Sequence, residues 1–163
     1  MVTMSFNEIF DADKIAVIGR SNDEMRRSED LASNLNTWFE GRVYTTGLTD
    51  DSVEDAEDYA THGLEEGTDL AVIVSPASKT PEIVEKCGDQ NVDTVLVASD
   101  GFSDAGNEGL ESELRYAADE NNIQLVGPNS SGIISPNDSL NASLFPEMPE
   151  TGETSFLTQD TGL

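Results

Sequence analysis

The chain has 163 residues, of which 33 are Asp or Glu and 8 are Lys or Arg, a formal net charge of -25. A field of that sign repels phosphodiester backbones and anionic headgroups, which argues against nucleic acid and membrane surfaces as partners. The length allows one ordinary domain with a short extension, and 36% hydrophobic residues together with 13 glycines are enough to build its core.

Ser5-Phe6-Asn7-Glu8 has the spacing of a capping box and predicts a short helical turn. Lys14 to Gly19 reads as a buried strand ending at a glycine, and Leu31, Leu35, Trp38 and Phe39 recur at helical spacing in a helix from about Asp23 to Phe39. Gly41 stops that helix, Arg42 to Thr46 is a short strand, and a weaker helix spans about Ser52 to Leu64. Asp69 to Val74 is apolar on both faces, as a parallel strand covered by helices must be. Thr80-Pro81-Glu82 opens a helix, with Thr80 as the capping side chain and proline in the first turn, and Gly88 marks its stop. Thr94 to Ala98 is a strand, Asn107 to Asn121 a helix and Gln124 to Gly127 a fifth strand. Strands alternating with helices of this length predict an α/β fold, a Rossmann-like, right-handed, doubly wound parallel sheet of about five strands. Beyond Ile134 the composition shifts to prolines, acids and small residues and reads as a linker, after which Thr154 to Thr158 looks like the first strand of another α/β unit. The expected division is a domain over residues 1–145 and, over 146–163, a linker with the start of a second domain.

The acids are spread along the chain and interleave with apolar residues, as in Asp51 to Tyr59, which is the pattern of a folded acidic surface and not of a disordered arm. Self-repulsion on this scale destabilises a compact state unless salt screens it, so a halophilic cytoplasm is expected. A single cysteine, Cys87, one helical turn beyond Ile83 and Val84, reads as core. No Cys/His cluster offers a metal site, and the chain shows neither an export signal nor a long apolar run.

In open parallel sheets ligands bind outside the carboxyl ends of the strands, near the point where strand order reverses. The loops there are Gly19-Arg20-Ser21, Thr46-Gly47, Val74-Ser75-Pro76, Ser99-Asp100-Gly101 and Pro128-Asn129-Ser130. Most are rich in small residues that allow close backbone approach or offer hydrogen-bonding groups, although turns favour the same residues. The first is a poor match to Gly-x-Gly-x-x-Gly, the second strand lacks an acid at its tip for a ribose, and there is no P-loop. Arg20, Arg26 and Arg27 place three of the eight basic residues within eight positions, where a pyrophosphate would dock at a helix entry. The other reading is that Arg26 and Arg27 balance Asp23, Glu24, Glu29 and Asp30 on a solvated face.

Several of these strings together resemble a known family. Ile15-Ala16-Val17-Ile18-Gly19-Arg20-Ser21 is similar to the opening strand and loop of the CoA-binding domain in ADP-forming acetyl-CoA synthetases and the succinyl-CoA synthetase α subunit. Asp69 to Pro76 resembles their third strand and its proline, and Ser99-Asp100-Gly101-Phe102-Ser103-Asp104 their serine-x-glycine-phenylalanine-serine segment. Val126 to Ile133 resembles their glycine-proline-asparagine loop, and Leu140-Asn141-Ala142 the segment after it. The chain departs from the pattern at Ser28, where the family often has glycine, at Ser130, where many members have cysteine, and at Gly47-Leu48, in place of an asparagine-proline pair.

The resemblance implies coenzyme A bound across the strand ends. Its diphosphate would lie near Gly19, Arg20 and Ser21, its adenosine near Thr46, Val74 and Pro76, and its pantetheine arm past Ser99 and Gly101 towards Asn129; Ser75 and Ser130 in the same loops, and Arg26 and Arg27 from the charge pattern, complete the expected binding set. Family enzymes pass a phosphoryl group through a histidine in a second domain and use a separate ATP-grasp unit. The one histidine here, His62, matches no such motif and reads as a surface residue, so no catalytic residue is expected in this chain. Three functions remain open: a CoA-binding domain that is part of an acyl-CoA ligase and works with a partner carrying the ATP-grasp and phosphohistidine domains, a stand-alone sensor of CoA or acyl-CoA, and a NAD-binding Rossmann protein.

Overall fold

The computed structural model describes residues 9–19, 23–46 and 63–157, without the side chains of 23–26. The capping box at Ser5 to Glu8, His62 and nearly all of the helix expected from Ser52 lie outside them; of that helix, Gly63 forms a turn and Leu64 is buried but not helical.

Five strands make one parallel sheet: β1 (Lys14–Gly19), β2 (Arg42–Thr46), β3 (Leu70–Val74), β4 (Thr94–Val97) and β5 (Gln124–Val126). Their order is β2-β1-β3-β4-β5, so the connections run one way from β1 to β2 and the other way from β3 onward. The helices are α1 (Asp23–Trp38), α2 (Thr80–Asp89) and α3 (Glu108–Glu120). Because side chains alternate across a strand, β1 sends Ile15 and Val17 to one face and Ala16 and Ile18 to the other. The first pair packs with Leu31, Ala32 and Leu35 of α1. The second packs with Ile83, Val84 and Cys87 of α2 and Leu114 and Ala117 of α3. The sheet is therefore doubly wound, and β1, β3 and β4 are apolar on both faces for the reason their sequences indicate.

Two differences from the sequence reading bear on the site. The stretch just beyond Ile134, up to Ser143, is not a linker: β6 (Gly132–Ser135) and β7 (Leu140–Ser143) form an antiparallel hairpin. Leu140 and Ala142 join the core on the α1 face, which α1 alone leaves uncovered over β4 and β5. The polar residues of β7 are satisfied internally. Asn34 of α1 donates to the carbonyls of Ser143 (2.8 Å) and Phe145 (3.1 Å), Asn141 donates to Phe145 O (2.9 Å), and the Ser143 hydroxyl donates to Asn141 Oδ1 (2.7 Å). Nor do residues 154–157 form the strand expected over Thr154 to Thr158: Phe156 and Leu157 are 79% and 89% exposed, with no neighbouring strand among the described residues to hydrogen-bond; Thr158 lies outside them.

Candidate functional site

The reversal of strand order lies between β1 and β3, and their register sets Gly19 opposite Val74, one residue beyond the row Thr46, Ile18 and Ile73. Gly19, Thr46 and Val74 thus share one edge of the sheet. A Cβ on Gly19 would stand 2.8 Å from Ser28 Cβ and 3.1 Å from Val74 O, so the glycine is what lets α1 approach the end of β1 this closely. Ser28 is 1% exposed and stands against Gly19.

The next three loops are knitted together. Ser75 N–H donates to Ser99 Oγ (2.9 Å), and the Ser75 hydroxyl lies 3.0 Å from Thr80 Oγ1, which donates to Pro76 O (3.2 Å). Thr80 is therefore not the cap the sequence indicated; as the first residue of α2 it turns its hydroxyl back onto the loop. Asn129 N–H donates to Ser99 O (2.8 Å) and Ser130 N–H to Val97 O (3.1 Å), which lays the loop after β5 along the end of β4. Gly101 comes so near the β3 loop that a Cβ on it would be 3.3 Å from that of Ala77. Asp104 accepts from the amides of Gly101 (3.2 Å) and Phe102 (2.8 Å), Asn107 donates to Gly101 O (2.9 Å), and the fully buried Phe102 anchors the loop in the core. Ser103 N–H donates to Glu111 (3.3 Å), and side-chain hydrogen bonding from Ser103 and then Arg115 holds the Glu111 carboxyl below its usual range.

The structure brings Gly19, Thr46, Val74, Ser75, Pro76, Ser99, Gly101, Asn129 and Ser130 to one edge, in two different capacities. Thr46, Val74, Ser75 and Ser99 are at most 4% exposed, and the hydroxyls of Ser75 and Ser99 are committed to neighbouring loops, so these residues shape the platform. The half-buried Asn129 keeps a side-chain amide with no partner among the described residues. Ser130 Oγ accepts from Gly132 N–H (3.1 Å). Of the arginines, Arg20 lies outside the described residues, as does Ser21, and the side chain of Arg26 is not described. Arg27 has a partner outside its own helix. Its Nη1 lies 3.3 Å from Asp100 Oδ2, an ion pair between α1 and the loop after β4.

Asp100 lies in one of the strand-end loops with no sequence signal of its own, because nothing local in a sequence pairs residues so far apart. The same holds for Asn34, which carries no signal except that a polar residue falls on the apolar face of α1.

A second concavity, a groove of about 550 Å³ between α2 and α3, is lined by Ser78, Pro81, Glu82, Glu85, Ser112, Glu113 and Tyr116. Three carboxylates make it unsuited to an anionic ligand. Among the described residues no group of His, Cys, Asp and Glu is arranged to hold a metal, and no helix is long and apolar enough to cross a membrane.

Cys87 is fully buried among Ile83, Val84 and α3, and burial pushes its thiol up to about 12 from 9.0. The thiolate is favoured only in the unfolded chain, so unfolding releases a proton above about pH 9. The stability this group contributes is complete below the unfolded value and is lost as pH rises from there through about 12. A native sample is expected to resist Ellman's reagent until denaturant is added, and its melting temperature to fall more steeply between pH 9 and 11 than that of Cys87→Ala. Rapid labelling of the folded protein would contradict this.

Comparison with known proteins agrees with this geometry. The family described as "CoA binding domain" matches residues 13–136. The chain is 37% identical over 148 residues to the ADP-forming acetate–CoA ligase I of Archaeoglobus fulgidus, covering 89% of this chain and 22% of that protein. It is 31% identical over 152 residues to the α subunit of ADP-forming acetate–CoA ligase II of Pyrococcus furiosus, covering 91% and 33% respectively. Among solved structures, the acetyl-coenzyme A synthetase 1 of Ca. Korarchaeum cryptofilum, in complex with phosphate and ADP, superposes with a TM-score of 0.71 at 30% identity, over 86% of this chain and 31% of that one. The chain thus spans between about a fifth and a third of the length of these relatives. Sheet order, strand-end loops and family match agree, and the chain belongs to the CoA binding domain family, as a homologue of the corresponding region of ADP-forming acetyl-CoA synthetases.

Proposed function

We propose that this domain binds coenzyme A across the carboxyl ends of β1, β3, β4 and β5, and that it serves as the CoA-binding part of an ADP-forming acyl-CoA ligase. The observation that carries the reading is that the carboxyl ends of β1 and β3 flank the strand-order reversal, with the loops after β3, β4 and β5 bonded to one another beside it, in a chain whose family is defined by CoA binding. The diphosphate lies beside the end of β1 and the start of α1, where Arg20, Arg26 and Arg27 supply positive charge; the adenosine lies along Thr46, Val74, Ser75 and Pro76. Gly101 keeps the surface low for the pantetheine arm, and Asn129 and Ser130 receive its far end. No residue of this chain is assigned a catalytic role. Phosphoryl transfer through a histidine and nucleotide binding by an ATP-grasp unit belong to a protein partner, a reading favoured by the separate α subunits among the relatives. The site of action is the cytoplasm.

Thermal melts test the ligand. CoA is expected to raise the melting temperature more than NAD at equal concentration, and CoA at a hundred times its dissociation constant adds about 2.7 kcal/mol to stability, which a melt detects. Equal or stronger stabilisation by NAD would reject the assignment.

A further inference from the structure

We propose that Asp100 occupies, in the free domain, the position on Arg27 that a ligand phosphate takes, so that anions bind here by exchange and Asp100 sets which anions succeed. This rests on the CoA-binding reading above. The ion pair joins the two sides of the candidate mouth: Arg27 comes from the early turns of α1, just beyond the loop after β1, and Asp100 from the loop after β4. The carboxylate is presented from a fixed backbone. Ser99 before it is buried and tied to Ser75 and Asn129, and Gly101 after it is held by Asp104 and Asn107. The side chains themselves are 42% and 60% exposed, so the pair is weak and open to competition. A phosphate group, with up to two charges and three acceptor oxygens, offers the guanidinium more than a single carboxylate does. A singly charged acid gains nothing by the exchange, and it also meets the displaced Asp100 carboxylate nearby. Asp100 therefore favours phosphorylated ligands over simple carboxylates, and it lowers the affinity for both.

Titration calorimetry with CoA separates this from general charge effects. It is run on the wild type, Asp100→Asn, Arg27→Gln, the double variant and Asp119→Asn, at the lowest KCl concentration at which the wild type is folded. Asp119 is an exposed acid near the C-terminal end of α3, at the opposite edge of the sheet. Asp100→Asn is expected to bind CoA roughly two- to fivefold more tightly, the range over which an exposed ion pair contributes. The gain should disappear when Arg27 is already Gln and shrink in 1 M KCl, where the screening length falls to about 3 Å. The exchange is overturned if CoA binds but Asp100→Asn leaves its affinity unchanged or weaker, if the gain persists without Arg27, or if Asp119→Asn matches it. Absence of CoA binding in every variant overturns the ligand reading itself.

Discussion

Replacing Gly127 with alanine is expected to lower the melting temperature by roughly 6–12 °C, an effect of about 3 kcal/mol at 2–4 °C per kcal/mol for a domain of this size. Two costs add. Gly127 has φ +101°, a backbone conformation that L side chains rarely adopt, and a new methyl group would stand 2.5 Å from the carbonyl oxygen of Val97. That oxygen belongs to β4 and accepts the Ser130 N–H, so it cannot retreat without breaking the contact that lays the loop along the strand. Overpacking against fixed backbone and a strained φ each contribute about 1–2 kcal/mol. Because the same displacement lifts Asn129 away from Ser99, CoA affinity should fall even at temperatures where the variant is folded. Gly152→Ala is the control, since a Cβ there meets nothing within 4 Å. A change of less than 2 °C in Gly127→Ala would show that the loop after β5 is not held as described.

The second large effect concerns salt. The sequence has 33 acids and 8 basic residues, and among the described residues the cations that pair do so at the surface: Lys14 and Arg42 with Glu65, Arg27 with Asp100, Lys86 with Asp89 and Arg115 with Glu111. Most carboxylates therefore face one another with no countercharge from the protein. In low salt, where the screening length is about 10 Å at 0.1 M, this repulsion acts between neighbouring acids and favours expansion; at 1 M it is confined to about 3 Å. Melts in a KCl series from 0.1 to 3 M are expected to rise by roughly 10 °C or more, equivalent to about 3–5 kcal/mol. A sharp, high transition that stays in place across the series would show that packing alone carries the fold and that the acidic surface is not an adaptation to salt.

The parallel sheet was legible because its signals are local. Ile15 to Ile18, Leu70 to Val74 and Val95 to Val97 are apolar at every position, which only burial on both faces allows, and the helical spacing of Leu31 and Leu35 or of Ile83, Val84 and Cys87 marks the faces that cover them. The carboxyl-end loops followed from chain order, since each small or polar cluster comes directly after a strand. Composition, length and motif order were sufficient for the fold class, the candidate platform and the family. What depended on contacts distant in sequence was decided by the tertiary structure. The hairpin of β6 and β7 looked like a linker because prolines, acids and small residues fill the stretch after Ile134, and only the bonds of Asn141 and Ser143 with Asn34 and Phe145 let that segment be buried. Ser75 and Ser99 looked like ligand groups, and only the loop packing commits their hydroxyls to one another's neighbourhoods. Arg27 had acids on either side of it along the chain, yet its partner is Asp100, brought there by the return of α1 and β4 to the same edge. Local propensity and burial periodicity act over a few residues and can be read in order, whereas the pairing of one hydrogen bond or charge with another is settled by which surfaces the core brings together.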